Sequence, residues 1–373
     1  MNLMEYSYKF RLYPNAVQEN LIQRTFGCCR FVFNHYLAYR KDLYEKSKET
    51  ANYYVCANDL TKLKREFEWL KEVDATALQS SLRSLDLAYK NFFRRVDNGE
   101  KAGYPHFKSK HNHKQSYTSR CVGTNIKVLE KAVQLPKLGI VKCRISKQVK
   151  GRILSATVSQ NPSGRYYVSI TCTEVEIEQL PKTDKQVGID LGLSSFLITS
   201  DGAKYENHKY LNKSQKKLTR LQRSLSRKSK GGNNYEKQRV KVARLHEHIT
   251  NQRRDTLHKI STEIIREYDL ICLEDLAPSN MVKNHKLAMA ISDVAWSEFV
   301  RMLEYKAEWY GKTVVKIDRF YPSSQLCSNC GCQWQGTKDL SVRNWRCPEC
   351  DTIHDRDINA AINILNEGLR ISA

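Results

Sequence analysis

A multidomain α+β fold is predicted by three observations. The 373 residues are 40% hydrophobic, enough chain and enough apolar content for two or three packed domains. Apolar residues recur at helical spacing over about 15–97 and then give way to short alternating, β-branched runs over about 117–178. Beyond these, strand-like runs alternate with helical ones, and three of the runs carry a carboxylate set beside apolar residues.

Charge narrows the function before any motif does. Lys and Arg number 62 against 40 Asp and Glu, a formal net charge of +22. That balance attracts polyanions over long range and makes nucleic acid the expected partner. A basic membrane-surface protein is the competing class. No apolar run approaches the roughly 18 residues of a spanning helix, however, and the start lacks a signal peptide's apolar core. A cytoplasmic protein with no membrane partner is expected. Of the 12 cysteines, four form two Cys-x-x-Cys pairs and the rest are scattered, which reads as metal binding in a reducing compartment rather than a disulfide framework.

Taken in order, Tyr6–Tyr13 alternates like a strand and stops at Pro14, with Asn15 as the cap of a following helix. Helical spacing then links Leu21, Phe26, Cys29, Phe33 and Leu37, next Leu60, Leu63, Phe67 and Leu70, and finally Leu78, Leu82, Leu85, Tyr89 and Phe92. The basic, Gly/Pro-punctuated loop Gly99–Lys110 interleaves aromatics in a way that suits phosphate tracking and base stacking. A small β-domain or barrel over 117–180 would take the first strand, 1–14, with the helical domain 15–116 inserted between them. Pro181–Asp184 reads as a linker.

The second half, 181–373, opens on Val187–Leu193, a strand with Asp190 inside it, and returns through Ser194–Ser200 and the hairpin signal Asp201-Gly202. A fourth strand ends at Glu274, a helix spans about 288–310, Thr313–Ile317 is a fifth strand, and the last helix starts near Asp357. Three antiparallel strands opening with an acid, followed by two more strands and helices, give an RNase H-like order. A basic helical hairpin over about 211–268, with its turn at 227–234, is placed to follow a nucleic-acid backbone; a solvated helix face is the plainer reading.

A carboxylate buried in a β-branched strand is disfavoured unless a cation or strong hydrogen bond offsets its desolvation, so Asp190, Glu274 and Asp357 are expected to converge on divalent metal. Phosphodiester hydrolysis asks for hard cations held by oxygen ligands, Mg2+ or Mn2+ here. Asp357, like Asp355, could instead only cap the last helix, and Glu274 could be a solvated strand end. Cys327-x-x-Cys330 and Cys347-x-x-Cys350, separated by sixteen residues, read as a zinc ribbon over about 325–352 that closes one structural Zn2+. Cys332 is a fifth thiol nearby, and ligand swapping stays open at this stage.

These residues resemble the transposon-encoded TnpB proteins, compact relatives of type V CRISPR effectors. The resemblance runs through Lys9–Pro14, Gly103-Tyr104-Pro105, Gly188–Gly192, Leu273–Leu276, Tyr321–Ser324, both cysteine pairs and Asp355–Ala361. It implies a RuvC-type nuclease domain with catalytic Asp190, Glu274 and Asp357 and the zinc ribbon inserted before the third acid. It also implies a wedge β-domain around a helical recognition domain, and a monomer per guide RNA, the guide coming from the transposon end and pairing with double-stranded target DNA beside a short adjacent motif. Lys9, Arg11, Lys108 and Lys110 are candidate nucleic-acid contacts. Gln79 and Asn125 match positions that touch the adjacent motif, where an amide can bond adenine twice. A catalytically silent RNA-guided repressor, a DNA transposase and a plain zinc-ribbon binder are the alternatives; the intact acids weigh against the first and last, the ribbon before the last acid against the second.

Overall fold

A computed structural model describes residues 3–284, 287–339 and 341–372, and the chain divides into two compact units, 1–176 and 177–373. In the first, strand β1 (Leu3–Tyr13) runs into helix α1 (Ala16–Ser47). Asn15 caps that helix as expected: its side chain accepts the Gln18 N–H at 2.9 Å while the Asn15 N–H donates to Gln18 at 3.1 Å. Helices α2 (Tyr53–Glu66) and α3 (Ala75–Asp97) follow, capped by Asn52 and Asp74. The apolar run through Leu60 and Leu70 divides, because α2 stops at Glu66 and Glu68–Lys71 form a separate 3-10 turn.

Strands β2 (Gln115–Arg120), β3 (Lys127–Val128), β4 (Ala132–Leu135), β5 (Gly139–Arg144), β6 (Arg152–Gln160) and β7 (Tyr166–Glu176) join β1 in a seven-stranded sheet ordered β2-β6-β7-β1-β5-β4-β3. The first strand therefore lies between β5 and β7, antiparallel to both, although the three helices separate it from them in sequence. Its even residues Tyr8, Phe10 and Leu12 are buried, as the period of two requires. Among the described residues no ladder joins β2 to β3, so the expected barrel is not closed by backbone hydrogen bonds. Helices α1 and α3 pack against β2, with Phe26 edge-on to Tyr117 and the Arg120 N–H donating to Thr76 at 3.0 Å.

The second unit opens with an irregular stretch, 177–185. Strands β8 (Gln186–Leu191), β9 (Ser195–Thr199) and β10 (Lys204–Glu206) form an antiparallel meander. Helices α4 (Tyr210–Ser226) and α5 (Asn233–Glu267) form the basic hairpin and lead to β11 (Leu270–Glu274). After α6 (Pro278–Met281), α7 (Ala288–Val294) and α8 (Trp296–Tyr310) comes β12 (Thr313–Ile317); the short ladder of β13 (Asn344–Arg346) and β14 (Ile353–Asp355) then precedes α9 (Arg356–Ser372). The sheet order is β10-β9-β8-β11-β12, with β8, β11 and β12 parallel, which is the five-strand order expected from the sequence. One expectation is corrected: the helix over 288–310 is broken at Ala295, whose φ of 59° is left-handed, so α7 and α8 are separate helices.

Helix α9 lies directly on β8 and β11, and two glycines permit it. A Cβ at Gly188 would overlap the Ala361 carbonyl oxygen and approach the Leu365 nitrogen to 2.7 Å; one at Gly368 would overlap the Cys272 sulfur. Gly188→Ala should therefore push α9 off the sheet and cost roughly 1–3 kcal/mol, the usual penalty of overpacking, read as a lower denaturation midpoint. An unchanged midpoint would mean that α9 docks less closely than described.

Candidate active site

The fold brings the three predicted acids to one place. Asp190 lies one residue before the end of β8 and Glu274 ends β11; the two strands are parallel neighbours with Ile189 opposite Leu273, so both carboxylates sit at the carboxyl ends of adjacent central strands. Asp357 is in the first turn of α9, which packs on β8. Burial pushes the Asp190 carboxyl up from 3.8 to about 7, and the charges of Glu274 and Asp357 push in the same direction, partly offset by Arg356 and Arg343. Burial also raises Glu274, against the hydroxyl of Ser323, which donates to its Oε1 at 2.6 Å. Their oxygens are the hard donors a divalent cation asks for, with Asp190 and Glu274 desolvated and Asp190 within reach of the charges of the other two acids; among the described residues, only the four cysteines below stand close enough together to hold an ion as they are.

Several partners of this site were not read from the sequence. Arg343, just before β13, reaches Asp357 at 3.4 Å, and its carbonyl accepts the Arg356 N–H at 2.8 Å. Asn359 and Asn363, on one face of α9 and buried, both donate to the Leu326 carbonyl at 2.7 Å, and Asn363 also donates to that of Ser323 at 2.8 Å. The helix that carries Asp357 thus also fixes the loop that orients Glu274. The only sequence signal was the pair of asparagines one turn apart within the apolar run Ile358–Leu365. Asp355 behaves as a cap: its Oδ1 accepts the N–H groups of Asp357 and Ile358 at 3.0 and 3.2 Å, and Lys204 pairs with it at 2.7 Å. Burial would raise its pKa, but these donors hold it below the usual value.

The four predicted zinc ligands form a cluster. The sulfurs of Cys327, Cys330, Cys347 and Cys350 all lie within 4.8 Å of one another, and two edges, Cys327–Cys350 and Cys330–Cys347, measure 3.6 Å. A tetrahedron with Zn–S near 2.3 Å has edges of about 3.8 Å, so the thiols fit a closed structural zinc site. Cys332 is outside this group; its carbonyl accepts the Cys327 N–H at 2.8 Å and so shapes the first knuckle. Donors on Thr352 and Asn329 hold the Cys350 thiol down to about 5. The buried His354 places Nε2 3.1 Å from the Cys327 sulfur and its ring against Trp345. All 12 cysteines are free thiols.

The candidate nucleic-acid residues all lie in the first unit. Lys9 and Arg11 stand on one face of β1 over the Tyr167 ring, at 4.8 and 5.3 Å. Lys108 lies over Phe33 at 4.0 Å, and its backbone exchanges hydrogen bonds with Asn34 at 2.8 and 3.0 Å, pinning the 99–110 loop to α1; Lys110 is exposed. Gln79 is exposed on α3. The Asn125 amide is partly engaged, accepting the Val122 N–H at 2.9 Å and donating to the Arg120 carbonyl at 3.2 Å. No helix among the described residues is long and apolar enough to cross a membrane.

Family models match residues 169–285 (OrfB_IS605, "Probable transposase"), 296–364 ("Cas12f1-like, TNB domain") and 1–49 ("Helix-turn-helix domain"), the last covering β1 and the single helix α1. A protein of Streptomyces pristinaespiralis described as "Putative RNA-guided DNA endonuclease" is 40% identical over 379 residues, covering 100% of this chain and 92% of the relative. InsQ of Escherichia coli K12, with the same description, is 37% identical over 98% of this chain and 93% of its own length. The fold resembles that of Cas12f1 in a cryo-EM complex with sgRNA and target DNA, with a TM-score of 0.59 at 14% identity over 98% of this chain and 99% of that one. Identities of 40% and 37% along essentially the whole length establish that the chain belongs to the TnpB/OrfB_IS605 family.

Proposed function

We propose that this protein is an RNA-guided DNA endonuclease in which Asp190, Glu274 and Asp357 hold Mg2+ or Mn2+ for phosphodiester hydrolysis, inside a cytoplasmic complex with one guide RNA. The observation that carries the reading is the convergence of the three carboxylates at the carboxyl ends of the central strands, with Asp190 raised to about 7 by burial and by its acidic neighbours. Two bound hard cations would supply an activated water and stabilise the leaving oxygen. The chain's own part is to fix the ligands: Ser323 orients Glu274, Asp355 caps the helix that carries Asp357, and Arg343 balances the local negative charge. Lys9, Arg11, Lys108 and Lys110 are proposed phosphate contacts, and Gln79 with Asn125 the proposed readers of the adjacent DNA motif. The four thiols would hold one zinc that fixes the ribbon from which Arg343 projects.

Binding and cutting should separate. Affinity spread over many phosphate contacts does not depend on a few acids, so Asp190→Ala, Glu274→Ala and Asp357→Ala should abolish cleavage while guided DNA binding stays near the parental level. Ca2+ should support binding without cutting. Asp355→Ala should keep substantial activity, since it caps rather than ligates. Cleavage and binding assays run in parallel on the four variants decide this; full cutting by Asp190→Ala would end the nuclease assignment, and binding without cutting by the parent would favour the silent repressor.

The raised Asp190 carboxyl has a consequence for stability. Its folded value of about 7 lies above the ordinary 3.8, so the metal-free fold favours the protonated acid and loses stability as pH rises between those values. Asp190→Asn should thus gain thermal stability relative to the parent from pH 4 to 7 and level off above, and Mg2+ should narrow the gap. A gap independent of pH would contradict the burial of Asp190 beside its acidic neighbours.

Cys347→Ser should remove about one zinc per chain and loosen the segment leading to Asp357, because binding energy at a closed site is folding energy. Elemental analysis of purified protein checks this; a folded, reduced parent without zinc would sink the assignment.

A further inference from the structure

Phe320 is the most exposed large hydrophobic side chain among the described residues, at 85%. Single exposed apolar side chains are common and by themselves mean nothing. What distinguishes this one is how its loop is held. The Phe320 N–H donates to Asp318 Oδ1 at 2.7 Å and the Tyr321 N–H to the Asp318 carbonyl at 3.1 Å, which puts Phe320 at the apex of a tight turn. On one side of the apex, Arg319 pairs with Asp275 at 2.7 Å, next to Glu274. On the other, the Ser323 hydroxyl donates to Glu274 itself at 2.6 Å. The adjacent Tyr321 packs inward on Cys272, Ile317 and Ile364. Two neighbouring aromatics are thus divided, one anchoring the loop in the core and one presented to solvent.

Phe320 and Ser323 are three positions apart in the chain, so their Cα atoms lie within about 10 Å, roughly three steps of a stacked strand at 3.4 Å each. We propose that Phe320 is a stacking platform for an unpaired base within about three nucleotides of the bond that is cut. The ligand class is a single-stranded polynucleotide, read through the face of a base and without sequence preference, since every base offers a π-face. Arg319, paired with Asp275, holds the platform at the strand edge. This inference rests on the assignment of Glu274 to the nuclease site.

The test uses the complete guide RNA–protein complex and a series of target DNAs, each with one abasic nucleotide, stepped through the positions around the cut. With the parent, one abasic position within about three nucleotides of the cut should slow cleavage roughly tenfold. Phe320→Ala should cut the intact target roughly tenfold more slowly and lose its sensitivity at that position, whereas Phe320→Trp should retain both rate and profile. An unchanged rate and abasic profile in Phe320→Ala would overturn the proposal, and would point to a protein partner for the exposed ring. Glu274→Ala is the separate control: cutting by that variant would overturn the site assignment itself, while its silence together with an unchanged Phe320→Ala profile would overturn only the platform.

Discussion

The close approach of α9 to the central strands is the constraint on which the rest of the nuclease unit depends. At Gly188 and Gly368 no side chain beyond hydrogen fits between helix and sheet, and through those two contacts the helix start is held beside the ends of β8 and β11. Asp357 on the helix, Asp190 on one strand and Glu274 on the other then share a small region, although 83 residues separate Glu274 from Asp357. The packing creates an electrostatic conflict at Asp190, which is buried and lies within reach of the charges of Glu274 and Asp357. A bound dication would resolve that conflict.

The zinc cluster, the loop after β12 and α9 are parts of one support. Asn359 and Asn363 fasten the loop 323–326 to the helix, Ser323 on that loop orients Glu274, and the ribbon that follows returns Arg343 to Asp357. The β13–β14 ladder delivers the chain from the second knuckle into the Asp355 cap, so a disturbance at the thiols reaches the helix start through a few residues of backbone.

Much of this was legible in the sequence because the signals are local. An acid flanked by apolar residues marks Asp190, cysteine spacing marks the ribbon, and the Asn15 cap and Asp201-Gly202 turn depend on neighbours a few residues away. What escaped depends on distant partners. Gly188 is marked in the sequence only as part of the stretch Gly188–Gly192; its role needs Ala361, which arrives 173 residues later. Arg343 is one of 62 basic residues, and nothing before folding singles it out. The break at Ala295 runs against a continuous apolar stripe, since Ile291, Phe299 and Leu303 all stay buried on either side of it. The opening strand was assigned by its alternation, but its place between β5 and β7 is a property of the whole sheet.

The central claim is that Asp190, Glu274 and Asp357 form one cation site. Anomalous diffraction from crystals of the guide-bound protein soaked in Mn2+ tests it most directly. The account predicts a Mn2+ peak within ligand distance of carboxylate oxygens from all three residues, lost in Asp190→Ala. Ordered Mn2+ elsewhere, with these three acids unliganded while the same preparation cuts DNA, would contradict it.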